Sequence, residues 1–167
     1  MALTAVSAQI ALPIPPVPWT LQVFAVLLCG AIAGPAVGAA SQIVYILIGV
    51  AGLPVFAGFR GGMQTVFSPS FGYILAFPIA AMIAGLSDTK GNRFKRSPFF
   101  FIVALIPIYL FGILYMYLMA PLVMGKKIGL DFAVSVGFVP FIIPDIIKAI
   151  LAWLLFRRID ISYRKGA

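Results

Sequence analysis

Histidine and glutamate are absent from this 167-residue sequence, and cysteine occurs once, as Cys29. Without histidine or a second cysteine, the chain lacks the usual ligands of a transition-metal site and cannot form an internal disulfide. No pair of acidic residues suggests acid–base catalysis, and no Gly-x-x-x-x-Gly-Lys-Ser/Thr motif suggests nucleotide hydrolysis. These absences argue against an enzyme, and we expect no catalytic residues, no metal and no bound cofactor.

Charge is also scarce, because 10% of the residues are charged and 63% are hydrophobic. A soluble domain is about 45–50% apolar and roughly 25% charged, so this composition predicts an integral membrane protein. We expect one domain over residues 1–167. The net charge of +8 would suggest nucleic acid in a soluble protein. In this chain it indicates basic loops at the cytoplasmic face of a membrane rather than a nucleic-acid partner.

Apolar stretches separated by Gly-Pro or polar segments predict an all-α bundle of six transmembrane helices. Gly34–Pro35 separates the second stretch from the third, and a polar loop at 87–97 separates the fourth from the fifth. Twelve residues of helix reach only about 18 Å, so the first stretch is expected to tilt or to begin before residue 1. The predicted spans cover residues 1–12, 19–33, 36–52, 72–86, 98–121 and 132–159.

Basic residues are distributed unevenly between the two sides of this predicted bundle. Six spans place both termini on one side, where the 90–96 loop and the tail from Arg157 carry four basic residues each. The opposite side has Arg60, Lys126 and Lys127. The positive-inside rule therefore predicts a multi-pass protein of the cytoplasmic membrane with both termini in the cytoplasm.

The segment between the third and fourth spans, residues 53–72, is rich in glycine and proline and is called the glycine-rich loop below. Glycine and proline at this density do not continue a helix. One interpretation is a solvent-exposed loop. The other, which the many aromatic residues favour, is a loop that folds back to line or cover a pocket, because irregular backbone at membrane depth must be buried in protein or line a cavity.

The first span carries small residues four positions apart, Thr4 with Ala8 and Ser7 with Ala11. Small-xxx-small spacing lets another helix approach closely. The partner helix belongs either to this chain, which is ordinary internal packing, or to another subunit, which makes these four residues a docking face. The pattern leaves both interpretations open.

The last span contains one acid and one base, Asp145 and Lys148, in the otherwise apolar stretch 140–156. Each charge costs roughly 2.5–3.5 kcal/mol near a bilayer centre, and residues three apart share one helix face. Since Pro favours a helix start, we expect the span to break near 140–144 and Asp145 to follow the new start at Pro144. The twelve residues from Asp145 to Arg157 cover about 18 Å, so the pair is expected in the outer half of the bundle.

A helix cap or a structural ion pair is one explanation of these charges, and a ligand site is the favoured one. A pocket with one carboxylate, one ammonium and aromatic walls suits a small ligand that has N–H donors and an acid group.

Four stretches resemble the BioY family, the biotin-specific S components of energy-coupling-factor transporters. They are VPWTLQ at 17–22, YILIGVAGLPVFAG at 45–58, FSPSFGYILAF at 67–77 and PDIIKA at 144–149. The resemblance implies an S-component bundle that binds biotin near its outer face. It also implies association with a transmembrane coupling subunit, through the first helix, and with two ATPase subunits.

The resemblance places the acid and base of the family's last helix on Asp145 and Lys148, and a polar ligand contact on Ser68. Our hypothesis is that Asp145 accepts a ureido N–H, Lys148 pairs with the biotin carboxylate and Ser68 adds a ureido bond. Phe56 and Tyr73 then pack the ring system.

Three other functions remain open at the level of sequence. They are an S component for another small acid, a structural membrane subunit whose ion pair fixes helix register, and a small channel. The sequence also leaves open whether the protein works alone, as a homo-oligomer, or only with ATPase partners.

Overall fold

A computed structural model of the chain describes residues 1–12, 17–87, 98–125 and 127–165, with backbone only at residue 124 and from residue 160 onward. The predicted basic loop at 87–97 lies almost wholly outside the described residues, as do three of the prolines that follow residue 12.

Helices dominate the described residues. One two-stranded antiparallel hairpin, β1 with β2, pairs Ala11 with Thr20 and Leu12 with Trp19. A short 3-10 helix, Met63–Phe67, interrupts the glycine-rich loop. In chain order the elements are α1 (Ala2–Gln9), β1 (Ala11–Leu12), β2 (Trp19–Thr20), α2 (Gln22–Ala33), α3 (Pro35–Val50), α4 (Phe71–Leu75), α5 (Phe77–Gly85), α6 (Phe99–Val103), α7 (Leu105–Met124), α8 (Leu130–Gly137) and α9 (Val139–Lys165).

Two helical stretches of the described residues are long and apolar enough to cross a membrane, Phe99–Val123 and Val139–Ile159. Three shorter apolar stretches accompany them, Gln22–Ala33, Pro35–Val50 and Phe71–Gly85. Large hydrophobic side chains remain exposed along these helices, for example Ile106 and Ile143. Exposed apolar helix faces are what a lipid environment accepts and water does not.

Helix α5 packs closely against α2 and α3 because small residues lie at the crossing. A Cβ on Gly30 of α2 would lie 2.1 Å from the carbonyl oxygen of Ala81 in α5. A Cβ on Gly38 of α3 would lie 2.7 Å from the Cα of Gly30. The turn between α2 and α3 falls at Gly34, as predicted, with a φ of 82°. The three helices α2, α3 and α5 therefore form a closely packed layer.

The structure turns the small residues of α1 inward. Thr4, Ser7 and Ala8 are buried, while Ala11 is half-buried in β1. The Thr4 hydroxyl donates a 3.2 Å hydrogen bond to the side-chain carbonyl oxygen of Gln42 in α3. The burial of Thr4, Ser7 and Ala8 favours internal packing, and a docking role for the four residues remains a prediction. The exposed side chains of α1 are different ones, such as Val6 and Ile10.

The break in the last span lies at Phe138, where φ is −121° and ψ is −55°, between α8 and α9. Pro140 then falls in the first turn of α9, where a missing N–H costs nothing. Pro144 lies inside the helix. The prediction that Asp145 follows a helix start at Pro144 is wrong, because Asp145 lies in the second turn of a helix that begins at Val139. Helix capping consequently does not explain this aspartate.

Candidate functional site

A cavity of about 450 Å³ lies inside the bundle, within the range of small-molecule pockets. Its lining comes from α2, α4, α5, α7 and α9, together with the glycine-rich loop and the segment 17–20. All five residues predicted to bind substrate line it, namely Phe56, Ser68, Tyr73, Asp145 and Lys148. Residues far apart in the sequence thus meet around one space.

The polar centre of the cavity is the ion pair on α9. Lys148 Nζ lies 2.8 Å from Asp145 Oδ1, and the two residues are one helical turn apart. The hydroxyl of Tyr109, from α7, donates a 2.7 Å hydrogen bond to Asp145 Oδ2. Asp145 is only 4% exposed, so these two donors replace the water that a carboxylate would otherwise bind. Each oxygen retains lone pairs that can accept a further N–H bond from a ligand.

Aromatic side chains form much of the cavity wall. Tyr73 and Tyr109 meet edge to face with ring centroids 6.5 Å apart, next to the ion pair. The hydroxyl of Tyr73 donates a 2.8 Å hydrogen bond to the carbonyl oxygen of Gly137 in α8. Phe56 and Phe71 make a second edge-to-face contact at 6.2 Å. Rings fixed in this way offer rigid apolar surface to a ligand.

The glycine-rich loop folds back onto the bundle and supplies several of the lining residues. Its Phe56 side chain lies over Gly49 of α3, where a Cβ would fall 2.1 Å from the ring. The hydroxyl of Tyr115, on α7, donates a hydrogen bond to the carbonyl oxygen of Val66. The loop is therefore attached to both α3 and α7, and the polar side chains it brings to the cavity are Arg60, Gln64, Thr65, Ser68 and Ser70.

Ser68 reaches the cavity from the turn that precedes α4. Its hydroxyl lies 2.9 Å from the hydroxyl of Ser70, and either oxygen can be the donor. Both residues line the cavity. A ligand acceptor can therefore accept a hydrogen bond from this pair, and a ligand donor can donate one to it.

Sequence reasoning did not assign several polar residues of the lining to the site, and Tyr109 and Gln22 are two of them. Tyr109 was not singled out, because its helix also carries Tyr115 and Tyr117 and nothing in the spacing separates them. Gln22 also lines the cavity, and its side-chain N–H donates a 2.8 Å hydrogen bond to the Tyr45 hydroxyl. The only available signal was that a glutamine in an apolar helix is costly unless it has a partner.

The described residues contain no group of three His, Cys, Asp or Glu side chains that could hold a metal ion. Bundle and cavity together define a class: a helical membrane protein with an internal site for a small molecule that carries polar and apolar parts.

Comparisons with known proteins make this class more specific. The sequence model of the BioY family matches residues 1–165. The "Probable biotin transporter BioY" of Pyrococcus horikoshii is 42% identical over 160 residues, 96% of this chain and 91% of that protein. The "Biotin transporter BioY" of Thermotoga maritima is 37% identical over 158 residues, 95% of this chain and 89% of that protein.

A solved structure supports the same assignment. It is the 2.1 Å crystal structure of the S component for biotin from an ECF-type ABC transporter, and it is 25% identical to this chain. The TM-score is 0.68, with 95% of this chain and 85% of that chain covered. The chain belongs to the BioY family. The all-α S-component fold expected from the resemblance is thereby confirmed, and the family is one of transporter components rather than enzymes.

Proposed function

We propose that this protein is the biotin-binding S component of an energy-coupling-factor transporter. The main support is the buried Asp145–Lys148 ion pair, which lines a cavity of about 450 Å³ with aromatic walls. The chain that carries this site belongs to the BioY family. Biotin combines a ureido group with an apolar sulfur-containing ring and a short acid chain. The cavity offers polar groups at one end and rings around it, which suits such a ligand.

Asp145 accepts a ureido N–H, because its oxygens still have free lone pairs after their bonds with Lys148 and Tyr109. Lys148 supplies ammonium N–H groups at the same end of the cavity. The Ser68 hydroxyl makes a further ureido bond, and Phe56 and Tyr73 enclose the ring system. Hydrogen bonds that involve a charged partner contribute about 1.5–3 kcal/mol each, so the ion pair dominates recognition.

Biotin transport requires partners in this proposal. The S component supplies the binding site, while a transmembrane coupling subunit and two ATPase subunits supply the energy. The protein lies in the cytoplasmic membrane as a multi-pass protein with both termini in the cytoplasm. The uneven distribution of Lys and Arg along the sequence supports this orientation.

Substitution of the ion pair tests the proposed function. We expect Asp145→Asn and Lys148→Ala each to weaken biotin binding about 10- to 100-fold, because each change removes a charge-assisted contact and leaves its partner buried without a counter-charge. Biotin affinity is measured on protein purified in detergent.

The matched control is Asp131→Asn, the same chemical change at an exposed aspartate in the first turn of α8. It should bind biotin as the wild type does. Wild-type affinity in both ion-pair variants would contradict the proposal, as would wild-type protein that binds another vitamin in preference to biotin.

A further inference from the structure

A second basic residue lines the cavity, in addition to the lysine of the ion pair. Arg60, in the glycine-rich loop, lines the same cavity as Asp145 and Lys148. Within the described part of the chain, the Arg60 guanidinium has no ion-pair or hydrogen-bond partner, whereas Lys148 is paired with Asp145. The charged lining residues are therefore two cations and one anion. A cavity with this balance suits a ligand that carries one negative charge.

Lys148 is a poor partner for a ligand carboxylate, because its ammonium already contacts the carboxylate of Asp145. Lys148 Nζ lies 2.8 Å from Asp145 Oδ1. A ligand carboxylate bound to the same ammonium would lie within a few ångströms of the aspartate, and two anions around one cation repel each other strongly where water is scarce. Arg60 has no acidic neighbour of this kind among its described contacts. The arginine is therefore the better partner for a carboxylate.

The local backbone fixes the place from which Arg60 reaches the cavity. Phe56 and Arg60 form an antiparallel bridge through two backbone hydrogen bonds, of 2.9 and 3.3 Å. Between them Phe59 has a φ of +56°, which is unusual for a large side chain and persists only where surrounding contacts hold it. Gln9 of α1 provides those contacts, because its amide accepts from Phe59 N at 2.9 Å and donates to Phe56 O at 3.1 Å.

Arg60 also has the geometry that a carboxylate requires. The guanidinium presents N–H groups in a planar fork that binds both oxygens of a carboxylate at once. It belongs to an exposed residue, so a flexible acid chain can reach it from the interior without desolvating the arginine completely. The ion pair and Arg60 can thus bind two different ends of one ligand.

We propose that Arg60 binds the carboxylate of the ligand, while Asp145 and Lys148 together bind its ureido end. This inference rests on the proposed function and replaces the prediction that Lys148 pairs with the carboxylate. It makes the glycine-rich loop the part of the protein that selects for an acid.

Neutral biotin analogues test this assignment. Biotin and biotinamide share the ureido and sulfur rings, and only biotin carries the negative charge. Wild-type protein should bind biotin about 10- to 100-fold more tightly than biotinamide, the range expected for one charge-assisted contact. Arg60→Ala should remove this preference by weakening biotin binding while leaving biotinamide affinity unchanged. Arg60→Lys should restore part of the preference, since it restores the charge without the planar fork.

Lys127→Ala is the matched control, because it removes an exposed basic residue that does not line the cavity. It should retain the full preference for biotin. The inference is overturned if Arg60→Ala keeps the preference, if it weakens both compounds equally, or if Lys148→Ala is the variant that loses the preference alone. Wild-type protein that binds neither compound would instead refute the proposed function itself, so the two failures are distinguishable.

Discussion

Asp145 is stabilised inside an apolar helix because two side chains donate hydrogen bonds to its carboxylate. Lys148 contacts one carboxylate oxygen at 2.8 Å, and the Tyr109 hydroxyl contacts the other at 2.7 Å. A buried carboxylate with fewer partners would cost several kcal/mol. The same arrangement orients the carboxylate, which in the proposed site would lower the entropic cost of binding biotin.

The substitution Tyr109→Phe tests the orienting role of Tyr109. It removes one donor to Asp145 and keeps the ring that packs 4.9 Å from the Phe138 ring. We expect biotin affinity to fall about tenfold, because a hydrogen bond to a charged group contributes about 1.5–3 kcal/mol and part of this is recovered when the carboxylate reorients.

Tyr117→Phe is the matched control on the same helix, since Tyr117 is 41% exposed and does not line the cavity. Its affinity should equal that of the wild type, as measured by titration in detergent. Equal affinity in Tyr109→Phe would show that the ion pair needs no support from α7.

Sequence reasoning identified the residues that are energetically unfavourable in an apolar helix, because this is evident without a structure. Asp145 and Lys148 are expensive in an apolar span, so their presence required an explanation. Tyr109 carries no comparable cost, because tyrosine is common in membrane helices and its importance depends on which oxygen it contacts. Arg60 was visible as a basic residue of the glycine-rich loop, but its place in the cavity depends on the turn from Phe56 to Arg60. That turn is held by Gln9, which is 47 residues from Phe56 along the chain.

At the scale of elements, the sequence predicted where helices lie better than where they break. Gly34 was recognised as a turn because glycine before proline stops a helix. The predicted break lies near Pro144, whereas the helix actually breaks at Phe138. Proline is favoured in the first turn of a helix, so the sequence alone does not say whether Pro140 or Pro144 occupies that turn. The small residues of α1 posed a similar ambiguity, because their spacing suits a helix of this chain as well as one from another subunit.

The crossing of α2 with α5 gives a stability prediction for Gly30. A Cβ at this position would lie 2.1 Å from the carbonyl oxygen of Ala81, which belongs to a helix backbone and cannot rotate away. We expect Gly30→Ala to destabilise the protein by about 1–3 kcal/mol, the usual range for overpacking, although alanine is the better helix former. Thermal unfolding in detergent measures the effect.

Ala33→Val provides the comparison, because it adds carbon atoms at an exposed position near the end of the same helix. Its unfolding temperature should stay close to that of the wild type. An unchanged unfolding temperature in Gly30→Ala would mean that α2 and α5 can separate without loss of stability.

At the scale of the whole molecule, the bundle exposes apolar helix faces and buries a few polar side chains within a largely apolar core. Ile106 and Ile143 are more than half exposed, whereas Gln42 is fully buried and Asp145 nearly so. The core is also largely apolar, so what distinguishes this bundle from a soluble domain is the apolar surface, which the composition led us to expect. Composition does not determine how the helices are arranged around the cavity, because that depends on close contacts such as those of Gly30 and Gly38.

The distribution of basic residues predicts how the molecule is oriented in the membrane. From Lys127 to Arg158 the chain runs through α8 and α9, and the apolar stretch Val139–Ile159 is long enough to cross the bilayer. We therefore expect the two basic residues near opposite faces of the membrane. Because the loop at 90–96 and the tail carry most of the positive charge, we expect Arg158 in the cytoplasm and Lys127 outside.

Single-cysteine variants measure this orientation. Lys127→Cys and Arg158→Cys are made in a Cys29→Ala background, which removes the natural cysteine of the chain. Both positions are exposed, so a membrane-impermeant maleimide has access to each from its own side. The reagent should label the cysteine at 127 in intact cells and the cysteine at 158 only after the membrane is opened. Labelling in the opposite order would place the cavity and Arg60 toward the cytoplasm, where an uptake protein has no ligand to capture.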